Sequence, residues 1–427
     1  MGVERPGIAK VLCAAALVLL PVEGFAMNLK GRVSESVLYV TDDSAKQNYS
    51  YTWSKLRLDA TDIYGNKENS AHFDGAYTGA SSNVYNSQTP PTRINYANVK
   101  MEKLFQDTDV VIGRQAIDDL VGARLDGALF DMHSSDAAGL GVFGGTMPDP
   151  YMDYFSSGFL TFGGFGYYKK KEAGVTLGYA ESLYNGNEDQ AYIYGSTYLA
   201  PTDEFDVNGS ARLDHNAGNT SGYDFTNLLV NANYRSGWRA NLNLTYNQYR
   251  AVWYQASETM NYGLDMALQK SARVFTDVAL VPTVKVYADY DYRIRDSDGL
   301  SASLLMVGLK ENDLMEIFYY NVSYRNINYF TAVSWQGALA VGAQFNEKAT
   351  AELGAAYSEN QQNQTSNGMT QIIYTASADY TASKSWMFNC SVETSTQKFV
   401  SVDSVYLSKY NDQYQTTTVF ANLTYRF

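Results

Sequence analysis

Trp238-Arg-Ala-Asn-Leu-Asn-Leu-Thr-Tyr-Asn-Gln248 decides the fold. Trp238, Ala240, Leu242, Leu244 and Tyr246 fall on one parity; Arg239, Asn241, Asn243, Thr245 and Asn247 fall on the other. Successive residues of a β-strand point to opposite sides, so this stretch predicts a strand with one apolar and one polar wall. Lys285–Arg295 repeats the pattern with more charge: Val286, Ala288, Tyr290, Tyr292 and Ile294 alternate with Lys285, Tyr287, Asp289, Asp291, Arg293 and Arg295. Lys55, Arg57 and Asp59 alternate in the same way with Leu56, Leu58 and Ala60.

Outward from these segments the period-two pattern recurs along the chain, broken by turn signals such as Asn185-Gly186-Asn187, Asp298-Gly299 and Asn367-Gly368. Only 8 of the 427 residues are proline, and the predicted strands almost lack it, as an unbroken hydrogen-bond ladder requires. Tyrosine contributes 36 residues, and hydrophobic residues make up 45%; that excludes a disordered chain. The 32 basic and 45 acidic residues leave a charge of −13, which excludes nucleic acid as a partner, because phosphate contact needs clustered positive charge. Two cysteines build no disulfide scaffold. Outside residues 1–26 no apolar run approaches the ~20 residues of a membrane helix.

Residues 1–26 read as a secretory signal peptide: Arg5 and Lys10 precede the apolar core Val11–Val22, and Gly24-Phe25-Ala26 is a small-x-small cleavage site. Residues 27–427 then form a single domain in which Cys390 is the only thiol, read as a packing residue.

A sandwich buries its apolar face, whereas a membrane barrel turns it to lipid and its polar face to an aqueous lumen. Strands of about ten residues suit a tilted span. Aromatic pairs near strand ends, Trp238 and Tyr246, Tyr51 and Trp53, Tyr167 and Tyr168, suit an interfacial girdle. The terminal strand places Val419, Ala421, Leu423, Tyr425 and Phe427 on one face. It resembles the last strand of bacterial outer-membrane β-barrels, whose aromatic terminus the barrel-insertion machinery recognises. The resemblance assigns Tyr425 and Phe427 as the insertion signal. It implies a transmembrane antiparallel β-barrel in the bacterial outer membrane, in contact with its lipid and lipopolysaccharide. Chain length and an even count predict about 20 strands, within a range of 18–22. Residues 255–283 read as a strand pair or a partly helical insert.

Catalytic signals are missing. His72, His133 and His215 stand alone, without metal-ligand spacing, and neither a nucleophile elbow nor a phosphate loop occurs. The chain reads as neither an enzyme nor a holder of a metal or cofactor. Gly113-Arg114-Gln115, followed by Asp126-Gly127, resembles a strand pair of porin-like barrels, including alginate-export-type proteins. On one register Arg124 and Asp126 face the lumen; for Arg114 the alternation is ambiguous, because Val110 and Ile112 share its face. Arg114, Arg124 and Asp126 then form either a charged constriction or a cross-strand salt bridge near the periplasmic rim. Leu140–Ser157 reads as a loop, folded into the pore or extracellular. Lys55, Arg57, Asp59, Asp289, Asp291, Arg293 and Arg295 complete the predicted luminal charges. The expected function is a porin-like channel for small hydrophilic solutes or ions. The alternative is a barrel sheathing a multihaem c-type cytochrome in an electron conduit; the chain's own sequence carries no haem motif. Export of an acidic polysaccharide ranks third, because the charge of −13 opposes a basic lumen.

Overall fold

The structure, a computed structural model, describes residues 27–43, 47–63, 66–80, 92–150, 153–215, 222–237, 239–257, 267–362, 368–400 and 413–427. The predicted signal peptide and Trp238 lie outside the described residues. Eleven strands form the first half: β1 (Asn28–Asp42), β2 (Gln47–Thr61), β3 (Asn69–Ala80), β4 (Thr92–Met101), β5 (Thr108–Ala116), β6 (Arg124–Ser135), β7 (Ala138–Thr146), β8 (Phe159–Lys169), β9 (Ala173–Tyr184), β10 (Asn187–Leu199) and β11 (Phe205–His215). The second half holds β12 (Tyr223–Ser236), β13 (Ala240–Tyr249), β14 (Gln269–Ala279), β15 (Val284–Arg295), β16 (Ser301–Leu314), β17 (Phe318–Asn328), β18 (Ala332–Asn346), β19 (Ala349–Gln362), β20 (Gly368–Thr381), β21 (Trp386–Val400) and β22 (Gln413–Arg426). Each strand pairs antiparallel with its neighbours in the chain, and β22 pairs with β1, so one 22-stranded sheet closes on itself. Closure leaves no edge strand with unpaired backbone groups.

Twenty-two strands exceed the expected 20 and stand at the top of the expected range. The excess has a physical cause in β7, which falls in the segment read as a loop. Its sequence, Ala138-Gly-Leu-Gly-Val-Phe-Gly-Gly-Thr146, is glycine-rich. A side chain at Gly141 would collide with the Phe165 ring of β8, and one at Gly139 with the Tyr167 hydroxyl. These glycines make room for rings rather than a turn. Within 255–283, residues 269–279 are strand β14, and 258–266 lie outside the described residues.

Residues directly opposite one another in an antiparallel register share a face. The apolar parity of β13 (Leu242, Leu244, Tyr246) is exposed, as are Val286, Tyr290 and Tyr292 of β15, Leu305 and Val307 of β16, and Val419 and Leu423 of β22. This face is the outside. Two groups of exposed outer rings bracket the apolar belt: Tyr168, Tyr234, Tyr380 and Trp386 lie near the strand ends that carry the chain termini, and Tyr39, Tyr246, Tyr324 and Tyr357 lie toward the opposite ends. The first is called the turn end below and the second the loop end. Tyr51 and Trp53 do not join either girdle. Opposite Leu38 and Ser36 of β1 they stand on the inner face, stacked at 6.1 Å. Tyr167 also faces inward, where its hydroxyl reaches Asp131 and His133. Phe427 zips the barrel shut: it exchanges backbone hydrogen bonds of 3.0 and 3.1 Å with Gly31, and its ring covers that glycine.

Candidate luminal site

The β5–β6 connection folds back inside the barrel. Its backbone closes through Ile117 N–H to Ala123 O (2.9 Å), Leu120 N–H to Ile117 O (3.0 Å) and Ala123 N–H to Leu120 O (3.0 Å). Ile117, Leu120 and Ala123 then pack with Leu125 against the inward side chains Phe143, Phe165, Ala180, Tyr192 and Tyr194. Leu120 and Leu125 are 0% exposed, a degree of burial that a bare barrel wall cannot supply. Asp119 pins the turn further down the wall, by an ion pair to Lys169 of β8 and a hydrogen bond from Thr176 of β9. Gly122 takes φ +94°, and the Arg212 guanidinium lies where its side chain would be. Both the left-handed backbone and the close approach need glycine.

Arg212 is the centre of this packed wall. Its Nε and Nη2 donate to Asp214 at 2.9 and 2.6 Å, its guanidinium stacks 3.7 Å above the Tyr192 ring, and Thr226 donates to Asp214. A second connection, residues 250–257, crosses above. Asp189, fully buried, accepts from Ala256 N–H (3.0 Å), Ser257 N–H (2.8 Å) and Ser257 Oγ (2.9 Å), while Gln255 Nε2 donates to His215 O (3.1 Å). Burial raises the pKa of Tyr254 in this strap.

Between the inward turn and the wall β2–β6 lies a cavity of about 560 Å³. Arg57, His72, Tyr96 and Lys100 line it from the strands, and Ile117, Asp118 and Asp119 from the turn. Arg57 holds Asp59 at 3.2 Å, and His72 hydrogen-bonds the same carboxylate. Lys55, Arg57 and Asp59 are on the inner face opposite Ser34, Arg32 and Lys30. Arg426, Arg32 and Arg57 are consecutive partners across β22, β1 and β2, with Asp74 of β3 next in the row. Like charges directly opposed are destabilising; Asp59, paired with Arg57, and Asp74, next in the row, offset part of this charge.

Across the barrel, acids alternate with bases. Arg273 grips Asp289 through Nε (2.8 Å) and Nη2 (2.5 Å), Arg293 grips Asp291 at 2.8 and 2.5 Å, and Lys285 meets Asp277 at 2.8 Å. Arg295 pairs with Asp298 in the β15–β16 turn and lies over the Phe330 ring at 4.8 Å; the pairing holds the Asp298 carboxyl below its usual pKa. Uncharged polar residues face inward beside them: Asn243 Nδ2 donates to Asn231 (2.8 Å) and Asn233 (2.6 Å).

Arg114, Arg124 and Asp126 stand elsewhere than the expected register. Asp126 and Arg114 are direct partners on the parity of the exposed Phe130 and Ile112, so they lie on the outer face. The register explains it: Leu125, Leu129 and Asp131 take the inward positions of β6. Arg114 and Asp126 make a bidentate pair of 2.6 Å each, near the loop end rather than the periplasmic rim. The 147–158 connection covers them, with Arg114 donating to Asp153 O (2.8 Å) and Arg124 meeting the Asp153 carboxylate at 2.8 Å. The segment that folds into the barrel is 117–123; of the 140–157 stretch, read as a loop folded into the pore or extracellular, residues up to Thr146 belong to strand β7. The signal for the inward segment lies in Ile117 and Leu120, apolar residues in a connection short enough to be all polar.

Among the described residues no three His, Cys, Asp or Glu side chains converge as metal ligands. No family model matches the sequence, and no curated protein does. Solved structures that resemble the chain include the outer membrane protein OpdK of Pseudomonas aeruginosa (9% identity, 94% of this chain and 99% of that one, TM-score 0.47). The same protein with vanillate gives 8% identity, the same coverage and a TM-score of 0.48. OccAB2 of Acinetobacter baumannii gives 8% identity, 94% and 98% coverage, and a TM-score of 0.44.

Proposed function

We infer that the chain is an outer-membrane channel for small hydrophilic solutes or ions. One observation carries this reading: a closed strand wall, apolar outside and polar inside, is narrowed from within by its own 117–123 turn. A closed wall satisfies every backbone group without water, and its apolar belt between aromatic girdles suits a bilayer. The lumen carries the row of Arg426, Arg32 and Arg57 on one side and alternating acids and bases of β14 and β15 on the other. Such opposed walls create a transverse field that orders water and sorts solutes by charge distribution. Export through the signal peptide, and recognition of Tyr425 and Phe427 by the barrel-insertion machinery, belong to the same reading. Purified full-length protein in planar bilayers is expected to give stepwise conductance; a silent bilayer containing folded protein overturns the channel.

The width of the wall favours a second reading. Twenty-two strands spaced about 4.8 Å apart and tilted about 40° enclose a round wall about 44 Å across at the backbone. That is wide enough to sheath a folded haem protein. The inward turn already occupies part of that space, which ranks the channel first. Copurification of a covalently bound haem protein reverses the ranking.

A further inference from the structure

The outer face carries a site unlike the rest of its belt. Near the loop end Trp335, Glu359, Thr370 and Lys398 are consecutive register partners across β18, β19, β20 and β21. Trp335 is the middle ring of a column with Tyr324 (6.5 Å, 25° between planes) and Tyr357 (5.3 Å, 49°). Glu359 accepts from Trp335 Nε1 at 3.1 Å and from Tyr357 Oη at 2.6 Å, one bond to each carboxylate oxygen. A groove of about 360 Å³ opens beside them, lined by Trp335, Glu359, Gln361 and Thr370. Lys398 is exposed.

From this row we propose a binding site for the phosphorylated sugar headgroup of an outer-leaflet glycolipid. The end rings of the column, Tyr324 and Tyr357, are exposed, and an open ring face there meets the weakly positive C–H hydrogens of a sugar. Each Glu359 oxygen keeps a lone pair, and carboxylate oxygens are strong acceptors for sugar hydroxyls. Glu359 and Lys398 are two strand spacings apart, about 10 Å, which fits a sugar bearing a phosphate at its edge. The ammonium supplies the charge partner for that phosphate. A glycerophospholipid headgroup offers no ring to the column and few hydroxyls to Glu359, so it uses Lys398 alone. The site rests on the outer-membrane reading, because the loop end then faces the glycolipid leaflet.

The test is native mass spectrometry of the full-length barrel in detergent, titrated with bisphosphorylated lipid A, dephosphorylated lipid A or phosphatidylglycerol. Wild type is expected to retain bisphosphorylated lipid A at least tenfold better than the other two. Lys398→Glu should bring bisphosphorylated lipid A down to the level of the dephosphorylated form. Trp335→Leu should weaken both glycolipids while leaving phosphatidylglycerol unchanged. Equal retention by wild type and both variants, or phosphatidylglycerol bound as well as lipid A, overturns the site. Heat-modifiable gel mobility and conductance of the same preparations report on the barrel itself, so loss of the site and failure of the channel reading separate cleanly.

Discussion

The two halves of the wall are built alike outside and differently inside. From β5 to β10 the inner face carries a compact apolar cluster, Leu120, Leu125, Phe143, Phe165, Tyr192 and Tyr194. From β12 to β22 the inner face is largely polar and charged, with no such cluster among the described residues. A membrane barrel gets its stability from a closed hydrogen-bond ladder and a lipid-facing belt, so it needs no interior core. Where a core does appear inside, it serves to hold something. Here it holds the 117–123 turn down in the lumen, and the opposite wall stays open to solvent.

The strongest way to break this contrast is Leu120→Asp. Truncating a buried leucine costs about 2–5 kcal/mol, and an unpaired carboxylate in the same place costs more. The ladder is untouched, so the barrel should still fold. Single-channel conductance should rise, and the turn should become open to protease. Unchanged conductance would remove the turn from the permeation path. Arg212→Met comes next. It strips Asp214, buried and with few other partners, of its bidentate guanidinium; breaking such a pair costs about 3–5 kcal/mol. Thermal unfolding followed by gel mobility should shift strongly, whereas Lys270→Met, whose ion pair with Asp296 is open to solvent, should shift it little.

Leu242→Arg against Asn243→Arg compares outside with inside on a single strand. An arginine on the lipid face costs about 2–4 kcal/mol near the midplane, while position 243 faces water and other amides. Assembly yield in outer-membrane fractions should fall for the first and hold for the second. Equal tolerance would show that the apolar parity of β13 does not face lipid.

How legible was this architecture in the sequence? Faces were readable wherever bulky apolar residues alternate with polar ones, as in β13 and β15, because sheet pleating imposes period two directly. Strand number was less readable. β7 hides behind glycines that are there for the Phe165 and Tyr167 rings of the next strand, a relation between neighbours that a single segment does not display. The Arg114–Asp126 pairing was visible as residues but not as a side of the wall. Its parity is set by Leu125 and Leu129, which face inward only because the 117–123 turn is there to meet them. In a barrel wall apolar normally means outward, and the packed half inverts that rule locally. The sequence therefore marks the longer, aromatic-rich connection as a loop of the pore or of the exterior and leaves the short one unmarked.

A smaller effect on stability is expected from Arg293→Gln in the bare half. Arg293 is 48% exposed and the glutamine amide keeps a donor for Asp291, so unfolding should move less than for Arg212→Met. Selectivity should respond instead. Asp291 is 10% exposed, and its Oδ1 already lacks a hydrogen-bond partner within the protein. Without the guanidinium its charge acts on the lumen unopposed, and the reversal potential in a salt gradient should move toward cation preference. The paired variant Asp291→Asn should move it the other way. If neither shifts the potential, the acids and bases of β14 and β15 are a rigid ladder along the wall, and the charge sorting resides in the packed half, around Arg57 and the turn.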